Sequence, residues 1–206
     1  MCKPVATGCE RRREGLVSDD AEFLAVCADS VHPLDVICPQ RYAEPLAPAV
    51  AARRAEEPLD WNVIDRAIAE MCKSSDVILI EGVGGIMVPM DEQYTLLHVA
   101  HWLGLPTIIV ARPNLGTINH TLLTAGSLRM AEVPVAGVVI NRYPAETADT
   151  AVETNPAAIE RWGGIPVLAL VPDEPVKGAS IPVEIADAID QVDWSRVVGH
   201  GRRKLG

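Results

Sequence analysis

A glutamate at the end of a short apolar run, followed by three glycines, forms a pattern that suits phosphate chemistry. The apolar residues 77–80 predict a strand that is buried on both faces. Glu81 follows directly, and the glycines are Gly82, Gly84 and Gly85. At the carboxyl end of such a strand, a carboxylate can hold a divalent cation, and glycine backbone can approach an anion closely. The pattern predicts a cation–phosphate site, with a strand and turn carrying an incidental acid as the alternative.

Two charged residues near the start of the chain could serve the same site. Lys3 lies at what reads as the end of a strand, and Lys3 and Thr7 can both point toward one place. Asp20 follows Ser18, which is a good cap for a helix predicted at residues 21–28. Each charged residue also has a simpler interpretation. Lys3 could be a solvated terminal lysine, and Asp20 could contribute only to the helix cap.

The second half of the chain offers two polar positions that could contact a nucleotide. Thr117 begins a predicted helix whose free N–H groups could bind an anion, and Asn119 lies in its first turn. Asn141 stands at the end of a predicted strand, where its amide could pair with the edge of a base because it offers a donor and an acceptor. These residues, together with Glu81, indicate an α/β protein that uses phosphate or nucleotide.

The elements that must position these residues alternate between strand and helix, which predicts an α/β domain with a doubly wound, mainly parallel sheet flanked by helices. We expect residues 1–195 to form one domain and residues 196–206 to be a flexible tail. The predicted strands are residues 36–40, 77–80, 106–111, 135–140 and 165–171, and the predicted helices are residues 21–28, 49–57, 60–73, 94–103, 117–130, 151–161 and 182–191.

Composition excludes several classes of partner. The net charge of −10 argues against nucleic acid, and no apolar run reaches the roughly 18 residues that a membrane span needs. The five cysteines are an odd number and include no C-x-x-C pair, so they indicate reduced thiols in the cytoplasm. Small-molecule substrates remain as the expected partners.

Six segments resemble one family, the dethiobiotin synthetases: KPVATG, SDDA, AEPLAP, EGVGGIMVP, LGTINHTLLT and VVINRYP. They occur in the family's order from residue 3 to about residue 175. The resemblance implies a P-loop NTPase-like fold and a cytoplasmic homodimer. It also implies an ATP- and Mg²⁺-dependent ligase of biotin biosynthesis that carboxylates 7,8-diaminononanoate and closes the ring to give dethiobiotin.

The resemblance also implies a role for each matching position. Lys3 matches the catalytic lysine, which meets the carbamate and the transferring phosphoryl group. Thr7 matches the hydroxyl residue that binds the carbamate or the diamine, and Asn119 matches a position lining the substrate pocket near the dimer interface. Asp20 and Glu81 match the acids that hold Mg²⁺ near the phosphates. The other matches line the nucleotide: Gly82, Val83 and Gly84 after the glutamate, Asn141 and Arg142 beside adenine, and Pro172, Asp173 and Glu174 along the nucleoside.

The sequence departs from this family in one respect. Dethiobiotin synthetases open with a strand, a phosphate-binding G-x-x-x-x-G-K-[ST] loop and a helix, whereas these 206 residues contain no Gly-Lys followed by Ser or Thr. Without that loop and its strand, we expect the 206 residues alone to bind ATP no more tightly than about 1 mM and to expose an apolar slot beside Val77 to Ile80. Two explanations stay open, a start codon further upstream or a truncated relative that acts only as a binding or dimerisation module. A related nucleotide-dependent amide-forming ligase is a further alternative.

Overall fold

The computed structural model describes residues 1–144, 146, 149–178 and 180–198. The chain forms two compact units, one from Met1 to Val99 and the other from Ala100 onward. Both contain parallel strand pairs connected through helices, which confirms the α/β fold class. The single domain expected over residues 1–195 stays a prediction. Most of the tail predicted at residues 196–206 lies outside the described residues, which end at residue 198.

The first unit is built on a parallel pair of short strands. Its elements are β1 (Val5–Thr7), β2 (Glu10–Arg12), β3 (Gly15–Val17), α1 (Asp19–Cys27), α2 (Leu34–Ile37), β4 (Gln40–Tyr42), α3 (Pro48–Ala55), α4 (Trp61–Ser74) and α5 (Leu96–Leu103). Strand β1 pairs in parallel with β4, and β2 with β3 forms an antiparallel hairpin. The boundary between the two units falls within α5.

Helix α1 begins where its sequence predicts. Ser18 is the N-cap, and its Oγ accepts a hydrogen bond from the N–H of Ala21 at 3.2 Å. Arg12, on the neighbouring hairpin, donates to Asp19 at 2.8 Å and to Glu22 at 2.9 Å. These ion pairs join the hairpin to the first turn of the helix and so fix the direction in which α1 leaves it.

The strand predicted at residues 36–40 is wrong in position. The N-terminal part of this stretch belongs to α2, whose N-cap is Pro33, and the strand β4 starts only at Gln40. Proline suits the start of a helix because its φ angle is already helical, and Pro39 disfavours helical geometry at Cys38. Pro33 therefore marks the start of the helix, and Pro39 separates the helix from the strand.

The prediction of a strand buried on both faces at residues 77–80 is also wrong. The side chains of Val77 and Leu79 are 50% and 52% exposed. Only Ile80 forms a bridge, in parallel with Cys2, with the N–H of Cys2 bonded to the carbonyl of Leu79 at 2.8 Å. One backbone edge is paired in this way, and no backbone bond engages Ile78 or Ile80 from the other edge within the described residues. The run therefore lacks the second neighbour that would bury it.

The second unit contains a three-stranded parallel sheet in the order β5–β6–β7. Its elements are β5 (Thr107–Ala111), α6 (Thr117–Met130), β6 (Val135–Tyr143), α7 (Thr150–Gly163), β7 (Val167–Pro172), α8 (Val183–Asp190) and α9 (Trp194–Val198). Val139, Ala169 and Val171 form the core on one face of this sheet, against apolar residues of α8 and α9. The structure confirms the predicted α6 at both ends, whereas β6 continues three residues beyond its predicted end.

No helix in the described part of the chain is long and apolar enough to cross a membrane.

Candidate active site

Lys3 is brought beside Glu81 by backbone pairing. The N–H of Glu81 donates to the carbonyl of Cys2 at 2.8 Å, and the N–H of Lys3 donates to the carbonyl of Ile37 at the same distance. These bonds hold the first residues of the chain against the segment that carries Glu81. The lysine Nζ then lies 2.6 Å from Glu81 Oε1, and Lys3 is only 5% exposed.

A second carboxylate approaches the same ammonium group from α1. Asp20 Oδ2 lies 3.3 Å from Lys3 Nζ, while the aspartate side chain itself remains 70% exposed. The contacts of 2.6 Å and 3.3 Å to one nitrogen limit the separation of the two carboxylate oxygens to 5.9 Å. Residues that are far apart in the sequence therefore form one cluster, which we call the lysine–acid cluster: Lys3, Asp20 and Glu81.

The cluster keeps Lys3 charged. Burial by itself would lower the pKa of Lys3, but the hydrogen bond and charge of Glu81, together with the charge of Asp20, outweigh it and raise the pKa above its ordinary value of 10.5. Lys3 is consequently a fixed cation across the physiological pH range. Its ammonium group can neutralise anions that approach the two acids.

The two acids suit a magnesium ion that is completed by other ligands. Mg²⁺ is usually held by one or two carboxylates, together with waters and substrate phosphate oxygens. No group of three or more His, Cys, Asp or Glu side chains is arranged to hold a metal ion among the residues that the structure describes. Asp20 and Glu81 fit Mg²⁺ only in this substrate-dependent way.

The loop after Glu81 requires a glycine at Gly84 and leaves little room for a side chain at Gly82. Gly84 adopts a φ of +68°, and a Cβ there would lie 2.8 Å from Val88 Cγ2. A side chain at Gly82 would lie 2.6 Å from Leu96 Cδ2. Both glycines and Val83 therefore form a tight turn that starts at the lysine–acid cluster, with bare backbone at two of its three positions.

An anchor that the sequence analysis missed fixes the far end of this loop. Asp91 accepts hydrogen bonds from Trp61 Nε1 at 2.6 Å and from the N–H groups of Gln93 and Tyr94 at 2.8 and 2.7 Å. Burial would raise the pKa of Asp91, but these hydrogen bonds outweigh it and lower the pKa below its ordinary value of 3.8. The turn around Asp91 has a local signal, an aspartate whose side chain accepts from N–H groups two and three residues later, but its partner Trp61 has none.

Thr7 lies at the carboxyl end of β1, four residues after Lys3. Its backbone pairs in register with Tyr42 of β4, and its side chain is partly exposed. It is on the same unit as the lysine–acid cluster, but no side-chain hydrogen bond of Thr7 is formed within the described residues.

Three of the predicted nucleoside residues in the second unit line a cavity of about 590 Å³, which we call the β6 cavity. Asn141 and Arg142 line it, and the backbone N–H of Arg142 donates to Asn141 Oδ1 at 2.9 Å. Arg142 has a φ of +56°, a conformation that is costly for a residue with a side chain. This irregularity coincides with a shift in the pairing register between β6 and β7.

Other predicted positions lie at or near the β6 cavity. Asp173 lines it, and its N–H donates to the carbonyl of Tyr143 at 3.0 Å. Pro172 and Glu174, on either side, are not among its lining residues. Asn119 lies in the first turn of α6 with its side chain exposed, after a left-handed Gly116.

Comparisons with known proteins identify sequence relatives along most of the chain. A family model described as an AAA domain matches residues 1–179. The ATP-dependent dethiobiotin synthetase BioD of Thermodesulfovibrio yellowstonii is 37% identical over 177 residues, covering 82% of this chain and 74% of that protein. The protein of the same name from Anaeromyxobacter dehalogenans strain 2CP-C is 39% identical over 173 residues, covering 82% and 77%. The solved structure of the Pyrococcus furiosus cell division ATPase MinD matches with a TM-score of 0.41 and 23% identity, covering 66% of this chain and 63% of that one.

Fold and family model together define an α/β protein of the P-loop NTPase-like class. Within that class, the chain belongs to the dethiobiotin synthetase family, because relatives of that name are 37% and 39% identical to it over alignments that cover most of both chains. These relatives are ATP-dependent ligases of biotin biosynthesis, as the resemblance in the sequence implied.

Proposed function

We propose that this protein closes the cyclic urea of dethiobiotin from 7,8-diaminononanoate and CO₂ at the expense of ATP. The observation that carries the proposal is a buried lysine held between two carboxylates, in a chain of the dethiobiotin synthetase family. One amine of the substrate takes up CO₂ to form a carbamate, and the carbamate is then phosphorylated. The second amine displaces phosphate and closes the ring.

The lysine–acid cluster suits the step in which negative charge accumulates. A carbamate and a transferring phosphoryl group repel one another unless cations screen them, and protein groups in such reactions mainly position and neutralise. Lys3 supplies a fixed positive charge that needs no reorganisation when the charge develops. Thr7, at the end of β1, is proposed to donate its hydroxyl to the carbamate or the diamine.

Mg²⁺ is proposed to bind Asp20 and Glu81, with phosphate oxygens and water as its remaining ligands. When bound, it would share the negative charge of the phosphates with Lys3. We propose that Gly82, Val83 and Gly84 line the phosphate side of this site, since a turn without side chains lets backbone N–H groups approach an anion.

Replacement of Asp20 tests the metal assignment. We expect Asp20→Asn to raise the Mg²⁺ concentration needed for half-maximal activity by roughly tenfold, because an amide is a weaker ligand than a carboxylate. Asp19→Asn is the matched control, since Asp19 is equally exposed but pairs with Arg12. An unchanged Mg²⁺ requirement in Asp20→Asn would remove this residue from the metal site.

We propose that the β6 cavity holds the nucleoside of ATP. Asn141 offers an amide at the cavity wall, and Arg142 is held beside it in a strained conformation of the kind that clusters at ligand sites. Asp173 would face the ribose side of the cavity, with Pro172 and Glu174 supporting its loop.

A homodimer is proposed on the basis of α6. Leu123 and Met130 are 62% and 89% exposed on one face of this helix, and Asn119 lies on the same face. The exposed apolar face of α6 includes Asn119, a predicted substrate position, and a second copy of the chain would cover this face.

We further propose a cytoplasmic location, because all five cysteines are free.

A further inference from the structure

Helix α7 contains a proline that frees one of its carbonyl groups. Pro156 has no N–H, so the carbonyl of Val152, four residues earlier, lacks its normal helical partner. The hydroxyl of Tyr143 donates to this carbonyl at 3.4 Å. Tyr143 is the last residue of β6 and follows Arg142 directly. The end of the strand that forms one wall of the β6 cavity is therefore attached to α7.

The residue before this proline is bonded to another part of the cavity lining. Asn155 is 4% exposed, and its Nδ2 donates to the carbonyl of Pro113 at 2.7 Å. Pro113 and Asn114 line the β6 cavity, and the same Nδ2 lies 3.5 Å from the carbonyl of Asn114. A buried amide of this kind is costly to leave unpaired, so the bond fixes the loop to the helix.

One turn of α7 thus contacts two parts of the chain that form the β6 cavity. Asn155 donates to the carbonyl of Pro113, and the carbonyl of Val152 accepts from Tyr143 at the end of β6. We infer that Asn155 is a positioning residue that sets the affinity of the β6 cavity for its ligand, taking the proposed nucleoside of ATP as that ligand. Asn155 need not touch the nucleoside, because it acts through the position of Pro113 and Asn114. Val152 lines the cavity directly from the same helix.

Hydrogen–deuterium exchange of the ligand-free protein tests the positioning step without reference to any ligand. In Asn155→Ala we expect faster exchange at the backbone amides of residues 114–116, because their loop loses its bond to α7. Thr154→Ala is the matched control. Among the described residues its hydroxyl donates only within the helix, to the carbonyls of Thr150 at 2.7 Å and Ala151 at 3.5 Å, so these amides should exchange as in the parent. Unchanged exchange in Asn155→Ala would overturn the inference.

Adenosine titration, followed by NMR chemical shifts, tests the link to the ligand. We expect Asn155→Ala to raise the Kd for adenosine roughly three- to tenfold, the effect of losing one buried hydrogen bond. Asn141→Ala, at the cavity wall, should also raise it. If only Asn141→Ala does so, the positioning role is wrong. If neither variant changes adenosine binding, the nucleoside assignment of the β6 cavity is wrong, and the inference falls with it.

Asn155→Asp distinguishes the effect of the donated hydrogen bond from the effect of the volume of the side chain. The aspartate has nearly the same shape, but its ionised form cannot donate to the carbonyl of Pro113, whereas its protonated form can. We expect the Kd for adenosine to improve toward the parent value as the pH falls through the pKa of the new carboxyl group, while the parent shows no such trend. A Kd that stays independent of pH in Asn155→Asp would contradict the role of the donated bond.

Discussion

Lys3 combines burial, a raised pKa and contact with two acids, and each of these properties depends on the others. A lysine buried without partners would tend to lose its proton, whereas this one is held charged by Glu81 and Asp20. The carboxylates in turn would repel each other without a cation between them. The cluster is therefore prepared for a reaction in which another cation and an anionic substrate join it.

Replacement of Lys3 should affect turnover more than binding of the diamine. In the protein as its gene encodes it, we expect Lys3→Ala to lower kcat by about 100-fold or more, with a diamine KM that changes less than about threefold, because the lysine charge matters most when the carbamate meets the phosphoryl group. Steady-state kinetics measures kcat and the diamine KM, and Lys73→Ala, which replaces an exposed lysine of α4, is the control. Activity within about a factor of two of the parent would mean that Lys3 is an ordinary structural lysine.

The anchor of the glycine loop gives a prediction at the scale of elements. Trp61→Phe keeps the ring but removes the bond from Nε1 to Asp91, and we expect it to cost about 1 kcal/mol of unfolding free energy at neutral pH. The folded-state pKa of Asp91 is lowered, so its stabilising contribution is present above the ordinary value of 3.8 and is lost as the pH falls through the folded-state value.

Denaturant unfolding at several pH values measures this difference. The gap in unfolding free energy between the parent and Trp61→Phe should be constant from pH 5 to 8 and should shrink below about pH 4. A gap that does not change with pH would show that Trp61 stabilises the loop by packing alone.

Local signals explain which elements the sequence could predict. Helix α1 starts at its serine cap, and α6 begins directly after Gly116, so both follow from residues within a few positions of each other. The exposure of Val77 and Leu79 agrees with the apolar slot expected beside these residues, whereas the composition of the run alone indicated burial, because a strand's own residues do not specify its neighbours. The strand predicted at residues 36–40 was misplaced because Pro39 separates the end of α2 from the start of β4.

The same distinction holds for the site. Lys3, Asp20 and Glu81 were found because each carries a charge at the end of an element, where ligands of α/β sheets bind. Trp61 and Asn155 were missed because their side chains act on loops 30 and 42 positions away. An asparagine followed by proline inside a helical pattern was the one available signal for Asn155, since a helix tolerates that proline only with some compensation.

At the scale of the whole molecule, the apolar face of α6 predicts self-association. Sedimentation should give a dimer for the parent and a monomer for the double variant Leu123→Glu, Met130→Glu, because charges on a covered apolar face must be desolvated. Val31→Glu is the control, since Val31 is 91% exposed and lies in the first unit. A double variant that sediments like the parent would place the interface elsewhere or exclude it.

The most direct test of the proposed reaction follows the carbon of bicarbonate. The protein as its gene encodes it is incubated with 7,8-diaminononanoate, MgATP and ¹³C-bicarbonate, and the product is analysed by ¹³C NMR and mass spectrometry. We predict that the label appears in the ureido carbonyl of dethiobiotin, that one phosphate is released for each ring closed, and that Lys3→Ala abolishes both. An amide product or phosphate release that does not require bicarbonate, or the absence of labelled cyclic urea, would contradict the account.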